Sequence, residues 1–404
     1  MIHAKFVKPR VFPWNNDRDP EQIDRLQEIG GDLTLNREKV YEIGRVGKLG
    51  YRKQTPSFAY TSRQFEYGSM AFWYDLANKE EPGSGEDRYI TLEDLSETKI
   101  DIAAFLTDDD DTFRGTIWFP KLRVNGFSIN IGDPDAIVER NFDLVGEDYK
   151  LIDENYFSFE KATVLAPGNG TVTLDPIAIE YASGKYVFKV LRVRAGLVSE
   201  LEEDVGAGDN TWSYNSGTHI VTVKTCLADD ILKVYYPSAT AYTTTWTDNN
   251  DDAKLLLAEY CEIYMKVGSG ERIYRLQSLG IDVAFERADY KEIGNSEIVQ
   301  TGVRNKTVTI ALNRFAEDLT LEKILAGDTA YPYIDPREFS EEIKLLVKVF
   351  DEKEHTNFKI GYLITGLTPT AIGTTQAIED YMARTTSLES DNLKISDDES
   401  ELSL

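Results

Sequence analysis

Apolar and polar residues alternate along most of this chain with a period of two, the pattern of half-buried β-strands. Between Leu26 and Val40, Leu33 and Leu35 alternate with Asp32, Thr34 and Asn36, and a second strand-like run follows from Tyr51 to Phe65 across the polar loop GRVGKLG. The period then changes. Met70, Phe72, Trp73, Leu76 and Ala77 recur at helical spacing and stop at Asn78, before the turn Pro82 to Gly85, which predicts a short amphipathic helix. Alternation returns with Ile100, Ile102, Ala104 and Leu106, runs into the acidic turn TDDDD as a hairpin tip, and predicts further strands at Gly115 to Phe119 and Leu122 to Ile131. Ahead of all this, residues 1–24 are punctuated by proline and anchored by Phe6, Val11, Phe12 and Trp14. They read as an arm lying on a surface, of the kind that contacts a neighbouring subunit.

The same order recurs later in the chain. RLQEIGGDLTLNREKVYEIG, Arg25 to Gly44, is echoed by RLQSLGIDVAFERADYKEIG, Arg275 to Gly294, at a constant shift of 250. Arg25, Asp32, Arg37 and Glu42 match Arg275, Asp282, Arg287 and Glu292, a signature read as structural and repeated by duplication. After it come the polar loop GNSEIVQTG, a strand from Lys306 to Leu312, and a helix through Leu321, Ile324, Leu325 and Ala326 stopped by Gly327. FDEKEHTNF stands opposite TDDDDTF, Gly366 opposite Gly126, and GTTQAIED opposite DPDAIVER. Two copies of one fold are expected, roughly over 20–155 and 270–395; the competing reading is that any two α+β domains share some order of elements.

From Thr163 to about Tyr242 there is no counterpart. Short alternating strands (TVTLD, YVFKVLRV, TWSY, HIVTVK, ILKVYY) are divided by GNG, ASGK, GAGDN and NSGT turns, the spacing of a β-sandwich of about one immunoglobulin-like module, expected to decorate the outside. TTTWTDNNDD reads as the linker leaving it, and the tail beyond Thr385, acidic and serine-rich, as disorder or a frayed surface strand. The resulting expectation is a mainly β (α+β) chain in three parts, 1–160, 161–248 and 249–404.

With 404 residues, 41% hydrophobic and 11% aromatic, the chain has material for two or three globular cores. Its net charge of −26 argues against wrapping nucleic acid or docking on anionic lipid, both of which need cations, though not against DNA passing nearby. The two cysteines, Cys226 and Cys261, form neither a disulfide framework nor a zinc spacing, and neither a signal peptide nor a bilayer-length apolar run is expected. His3, His219 and His355 lack the spacing of metal ligands or a catalytic pair. Asp108 to Asp111 and Asp248, Asp251 and Asp252 would offer calcium hard oxygens, but neither run has the spacing of a calcium loop, and the competing reading is a solvated turn. P-loop, GxSxG and GxGxxG motifs are missing, Glu42 and Glu292 read as repeated structural residues, and the aromatics of FEYGSMAFWY fit core packing better than a stacking platform for bases. No catalytic, cofactor-binding or metal-binding residue is nominated, and no enzyme is expected.

EIGRVGKLGYRKQTPSFAYTSRQFEYGSMAFWYDLANK, the later RLQSLGIDVAFERADYKEIGNSEIVQTGVRNKTVTIALNRF and the embedded immunoglobulin-like module together resemble a major tail tube protein of a long-tailed, siphovirus-like virus. The resemblance implies β-sandwich or barrel-like tube domains, each with one flanking helix, whose strands join those of neighbours around a negatively charged lumen for DNA passage during ejection. Such proteins mostly carry one tube domain and form hexamers; a chain with two would close a pseudo-hexameric ring as a homotrimer. Stacking of rings is then expected through the two polar loops, with Arg45, Lys48 and Tyr51 in one and Asn295, Glu297 and Gln300 in the other, ordinary hairpin loops being the alternative. The implied partners are further copies of the chain and other tail proteins (tape measure, tail tip and terminator), with viral DNA crossing the lumen unbound and no membrane. The implied location is the virion tail, assembled in the host cytoplasm. The rival expectation is a surface protein that binds carbohydrate or a receptor through the inserted sandwich.

Overall fold

The computed structural model describes residues 7–14, 17–34, 37–41, 48–53, 57–83, 86–108, 112–153, 156–204, 210–240, 255–266, 271–273, 276–290, 300–315, 319–326, 335, 337, 339, 343–375 and 382–404, with 37–41 and 48–53 described by backbone alone. The protein is mainly β. Its first half runs β1 (Val7–Pro13), β2 (Glu21–Gln22), β3 (Leu26–Thr34), β4 (Arg37–Tyr41), β5 (Lys48–Lys53), β6 (Ser57–Phe65), α1 (Ala71–Ala77), β7 (Tyr89–Thr91), α2 (Leu92–Ser96), β8 (Ile100–Thr107), β9 (Phe113–Ile131), β10 (Glu139–Gly146) and β11 (Lys150–Asp153). The period-two pattern is realised on β6, where Phe58, Tyr60, Ser62 and Gln64 are buried and Ser57, Ala59, Thr61 and Arg63 are exposed. Strand β9 serves two layers: its first part pairs with β8 and β11, its second with β10. The strand turns between them at Lys121, whose φ of 55° is left-handed and whose backbone N–H is held by Asp101 Oδ1 at 3.0 Å. Helix α1 fills the space between layers, with Trp73 edge-on to Phe127 and Phe142 at 5.0 and 5.2 Å.

A separate seven-stranded unit follows: β12 (Tyr156–Thr163), β13 (Gly168–Thr173), β14 (Lys189–Arg194), β15 (Leu197–Glu203), β16 (Thr211–Asn215), β17 (Ile220–Cys226) and β18 (Ile231–Ser238). It has its own core around Val190, Val221, Val223, Leu232 and Val234. It is also welded to the first half. Phe157, Phe159, Leu191 and Tyr235 share a buried cluster with Phe12, Trp14 and Trp118.

The second half runs β19 (Cys261–Lys266), β20 (Glu271–Arg272), β21 (Leu276–Tyr290), β22 (Gln300–Phe315), α3 (Thr320–Leu325), β23 (Ile343–Phe350), β24 (Phe358–Thr375), β25 (Ala383–Ser390) and β26 (Asn392–Ser396). Seven pairings of the first half recur in it: β1–β2, β1–β8, β8–β9, β9–β10, β9–β11, β6–β10 and β3–β6 are answered by β19–β20, β19–β23, β23–β24, β24–β25, β24–β26, β22–β25 and β21–β22. Register recurs with them. Each β3–β6 partner pair becomes a β21–β22 pair on adding 250, through the bulge at Gln27 and at Gln277. The β4–β5 pairs from Arg37–Lys53 to Val40–Gly50 fall on Arg287–Val303 to Tyr290–Gln300 in the same way. Strand β9 maps on β24 with a shift of 245, again through a bulge in each, at Asn125 and Thr370.

Six expectations are corrected. Gly366 does not answer to Gly126: the register sets Gly126 against Ala371, and Gly366, at φ 68°, answers to Lys121, so the shared feature is the left-handed kink rather than a glycine. By the same register Arg140 answers to Arg384, and the pairing of DPDAIVER with GTTQAIED is out of step. The C-terminal tail is ordered strand, not a fray, because β25 and β26 take the places of β10 and β11 and bury Leu388, Leu393 and Ile395, with Leu402 beyond them. The N-terminal segment is no surface arm from Val7 onward, since β1 is paired along its length with β8 and Phe12 and Trp14 lie under the seven-stranded unit. The expected strands at Gly115 and Leu122 are one continuous β9, and the seven-stranded unit opens at Tyr156, ahead of the expected boundary at 161.

Candidate functional site

The two halves are joined by backbone. Strand β9 pairs antiparallel with β21, Ile131 opposite Leu279, Ile129 opposite Ile281 and Phe127 opposite Val283, and these six side chains are buried. The sheet order is therefore β3-β6-β10-β9-β21-β22-β25-β24, an eight-stranded ribbon. Arg287 clamps the joint: its Nε donates to the Val124 carbonyl at 3.0 Å and its Nη2 to the Ser96 carbonyl at 2.9 Å. A second pairing, β26 with β7, brings Ile395 against Ile90. Around it Arg88 forms a two-pronged bond to Asp397 at 3.2 and 2.9 Å, and the Tyr362 hydroxyl donates to Glu66 at 2.9 Å.

Among the described residues the ends of the ribbon are open. Among the described residues β3 pairs only with β6, and the stretch Thr368–Thr375 of β24 only with β25. These strands are the counterparts of β21 and β9, the pair that forms the internal joint. Exposure follows. Phe127 is 3% exposed, whereas its counterpart Ile372 is 37% exposed. Ile395, covered by β7, is 1% exposed, whereas its counterpart on β11, Leu151, is 69% exposed. An unpaired strand edge offers rows of N–H and C=O groups to another strand, which is why proteins either cover such edges or use them.

One face of the ribbon carries the core; the other is built from small and polar residues. Its cross-strand rows include Gly30, Ala59, Thr61, Gly126, Ser128, Gly280, Thr309 and Ser387. Across it Asp32, Asp143, Asp282 and Glu389, with Glu28 and Glu139 toward one rim, outnumber Arg63 and Arg123. Arg63 sits between Glu28 and Glu139, 4.0 and 3.9 Å away. Partial burial raises the Asp282 carboxyl above its ordinary value.

No protein-family description matches the sequence, and no curated protein matches it. Among solved structures, a chain of the extended sheath–tube complex of an extracellular contractile injection system is 11% identical over 38% of this chain and 100% of its own, with a TM-score of 0.29. The tube-terminating cap of the anti-feeding prophage follows at 12% identity, 38% and 100% coverage and a TM-score of 0.28. A chain of the baseplate of that particle has 13% identity, 33% and 91% coverage and a TM-score of 0.25. These are partial likenesses at low identity.

Of the residues nominated from sequence, Asp32 lies on the polar face beside the open edge, Asp282 at the same place in the internal joint, and Arg287 in its clamp. Arg25 precedes β3 with a left-handed φ of 53°. Lys48, Tyr51, Gln300 and Arg37 lie in strands whose backbone alone is described there, while Arg45, Glu42, Arg275, Glu292, Asn295 and Glu297 lie outside the described residues. Ile372, Leu151 and the acids of β10 were missed. For Ile372 and Leu151 the signal is positional: an exposed apolar residue where the other repeat has a buried one.

A cluster of titratable groups at the seam between β8, β14 and β18 has the look of chemistry but is closed on itself. Asp101 accepts from Trp14 Nε1 at 2.8 Å and Trp118 Nε1 at 3.2 Å and pairs with Lys189, with Asp101 fully buried and Lys189 nearly so. Burial lowers the Lys189 ammonium to about 8 against the pull of Asp101. The two charges face each other inside the seam, and neither is open to a ligand.

Proposed function

We propose that this chain is a structural subunit of a viral tail tube, polymerising through its own sheet edges, with no active site. The observation that carries the proposal is the internal joint: β9–β21 is made, while the counterparts of its two strands, β24 and β3, have open outer edges among the described residues, at opposite ends of the same ribbon. Repeating the joint between copies is heterologous, head to tail, and such contacts close into rings when the rotation closes. Three chains would bring six repeats and a barrel of about 24 strands, which at about 4.8 Å per strand has a circumference of about 115 Å before tilt widens it. A barrel of that size leaves an open channel rather than a filled core.

The core face of the ribbon is occupied by helices and the second layer, so the small-residue acidic face is the one that turns to the lumen. Three chains at −26 each then surround a conduit that repels a polyanion instead of holding it. Rings stack through the hairpins β4–β5 and β21–β22, and the seven-stranded units project outside. Electron microscopy of concentrated protein is expected to show hollow tubes with three knobs per ring. Six knobs with strict sixfold density would overturn the trimer, and a chain that stays monomeric at every concentration would overturn the tube.

A further inference from the structure

The joint inside the chain is a template, at residue resolution, for the joint between copies. We infer that β24 of one copy pairs with β3 of the next in the register that β9 and β21 hold internally, with Arg37 as the residue that fixes that register; this rests on the edge-to-edge assembly proposed above. Carried over by the two shifts, Ser128 opposite Asp282 becomes Gly373 opposite Asp32, and Phe127 opposite Val283 becomes Ile372 opposite Leu33. The half-exposed Ile372 then finds an apolar partner, as Phe127 does inside the chain.

Arg37 occupies the backbone position of Arg287: it stands opposite Lys53 as Arg287 stands opposite Val303. Arg287 donates across the internal joint to the carbonyl of Val124, and the counterpart of Val124 is Pro369. Proline has a carbonyl but no N–H, so at that point the edge can accept a hydrogen bond but cannot return one. A guanidinium with several donors in a planar fork suits a lone carbonyl, and a lysine ammonium reproduces the charge without the fork.

The template is tighter than the copy at one place. A Cβ on Gly126 would lie 2.5 Å from the Val283 carbonyl oxygen, and Ala371 carries that Cβ. Two copies therefore approach less closely at that end than the two halves do.

Cysteine pairs test the register in the full chain. S128C/D282C is the internal control and is expected to close within one chain on mild oxidation. G373C/D32C is expected to link copies into a ladder, while A371C/D32C, displaced by two residues on the same face, stays unlinked. The native thiols react slowly because burial raises both, Cys261 to about 12. R37A is expected to keep the circular dichroism of the wild type but to need about tenfold more protein to assemble, with R37K little better. Tubes in which only the displaced pair links overturn the register and leave the tube reading standing. R37A tubes that form at the wild-type concentration overturn the clamp. Wild-type protein that never assembles, with the internal control closed, overturns the tube reading itself.

Discussion

Lys233 carries an ammonium into the seam between β18 and β1, where its Nζ donates to the Pro13 carbonyl at 2.7 Å. Burial, reinforced by Lys161, pushes it down to about 7 from an ordinary value of 10.5, against the pull of Asp17, Asp75 and Asp101. Below pH 7 folded and unfolded chains both hold this proton, and it contributes no slope. Between about 7 and 10.5 the unfolded chain holds more of it than the folded chain, so stability rises with pH across that window. K233M has no proton to lose, and urea midpoints at pH 7 and 9.5 are expected to show the rise in the wild type and a flatter line in the variant. Asp101, on β8 in the same seam, supplies the counter-charge of Lys189. D101N leaves Lys189 buried without its counter-charge and is expected to cost about 3–5 kcal/mol, read as a lowered urea midpoint.

At the scale of elements, the internal joint depends on one bare backbone. In G126A the new methyl meets the Val283 carbonyl oxygen at 2.5 Å, against backbone with no flexible end to give way. A loss of about 1–3 kcal/mol is expected in thermal or urea unfolding, as for other overpacked sites. Excising the seven-stranded unit tests a different expectation. From sequence it looks like a decoration that tubes can lose, but its β12, β14 and β18 cover Phe12, Trp14 and Trp118, so removing residues 156–238 uncovers three large aromatics. The excised chain is expected to aggregate or to melt well below the parent, and a melt that matches the parent would restore the unit to mere decoration. What sequence made legible was local. The alternation on β6, the helix at Met70–Ala77 and the RLQ/EIG echo all lie within short windows, and strand burial follows directly from a period of two. The kink at Lys121 was hidden because a hydrogen bond from its N–H to Asp101 stands in for the glycine found at Gly366. The open edges were hidden because cover depends on the strand that lies beside a residue, and for Phe127, the covered counterpart of Ile372, that strand is more than a hundred residues away in sequence.

For the molecule as a whole, the proposal turns on which way the ribbon faces. If the acidic, small-residue face lines the lumen, its charge decides whether DNA passes or stays. Asp143 and Asp282 sit on adjacent strand rows of that face, one from each half, Asp143 opposite Gly126 and Asp282 opposite Ser128. D143K/D282K replaces two anions by two cations in every chain without touching the core face, so a ring of three chains gains six lysines on that face. Binding that rests on phosphate neutralisation weakens steeply with salt, by about three to five decades between 50 and 200 mM for 6–10 contacts. Assembled variant tubes are therefore expected to retain duplex DNA in a filter assay at 50 mM salt and release it by 200 mM. Wild-type tubes are expected to retain none at either. Variant tubes that assemble normally yet ignore DNA would mean the face looks outward, and the conduit would have to be lined by the layer of β8 and β23 instead.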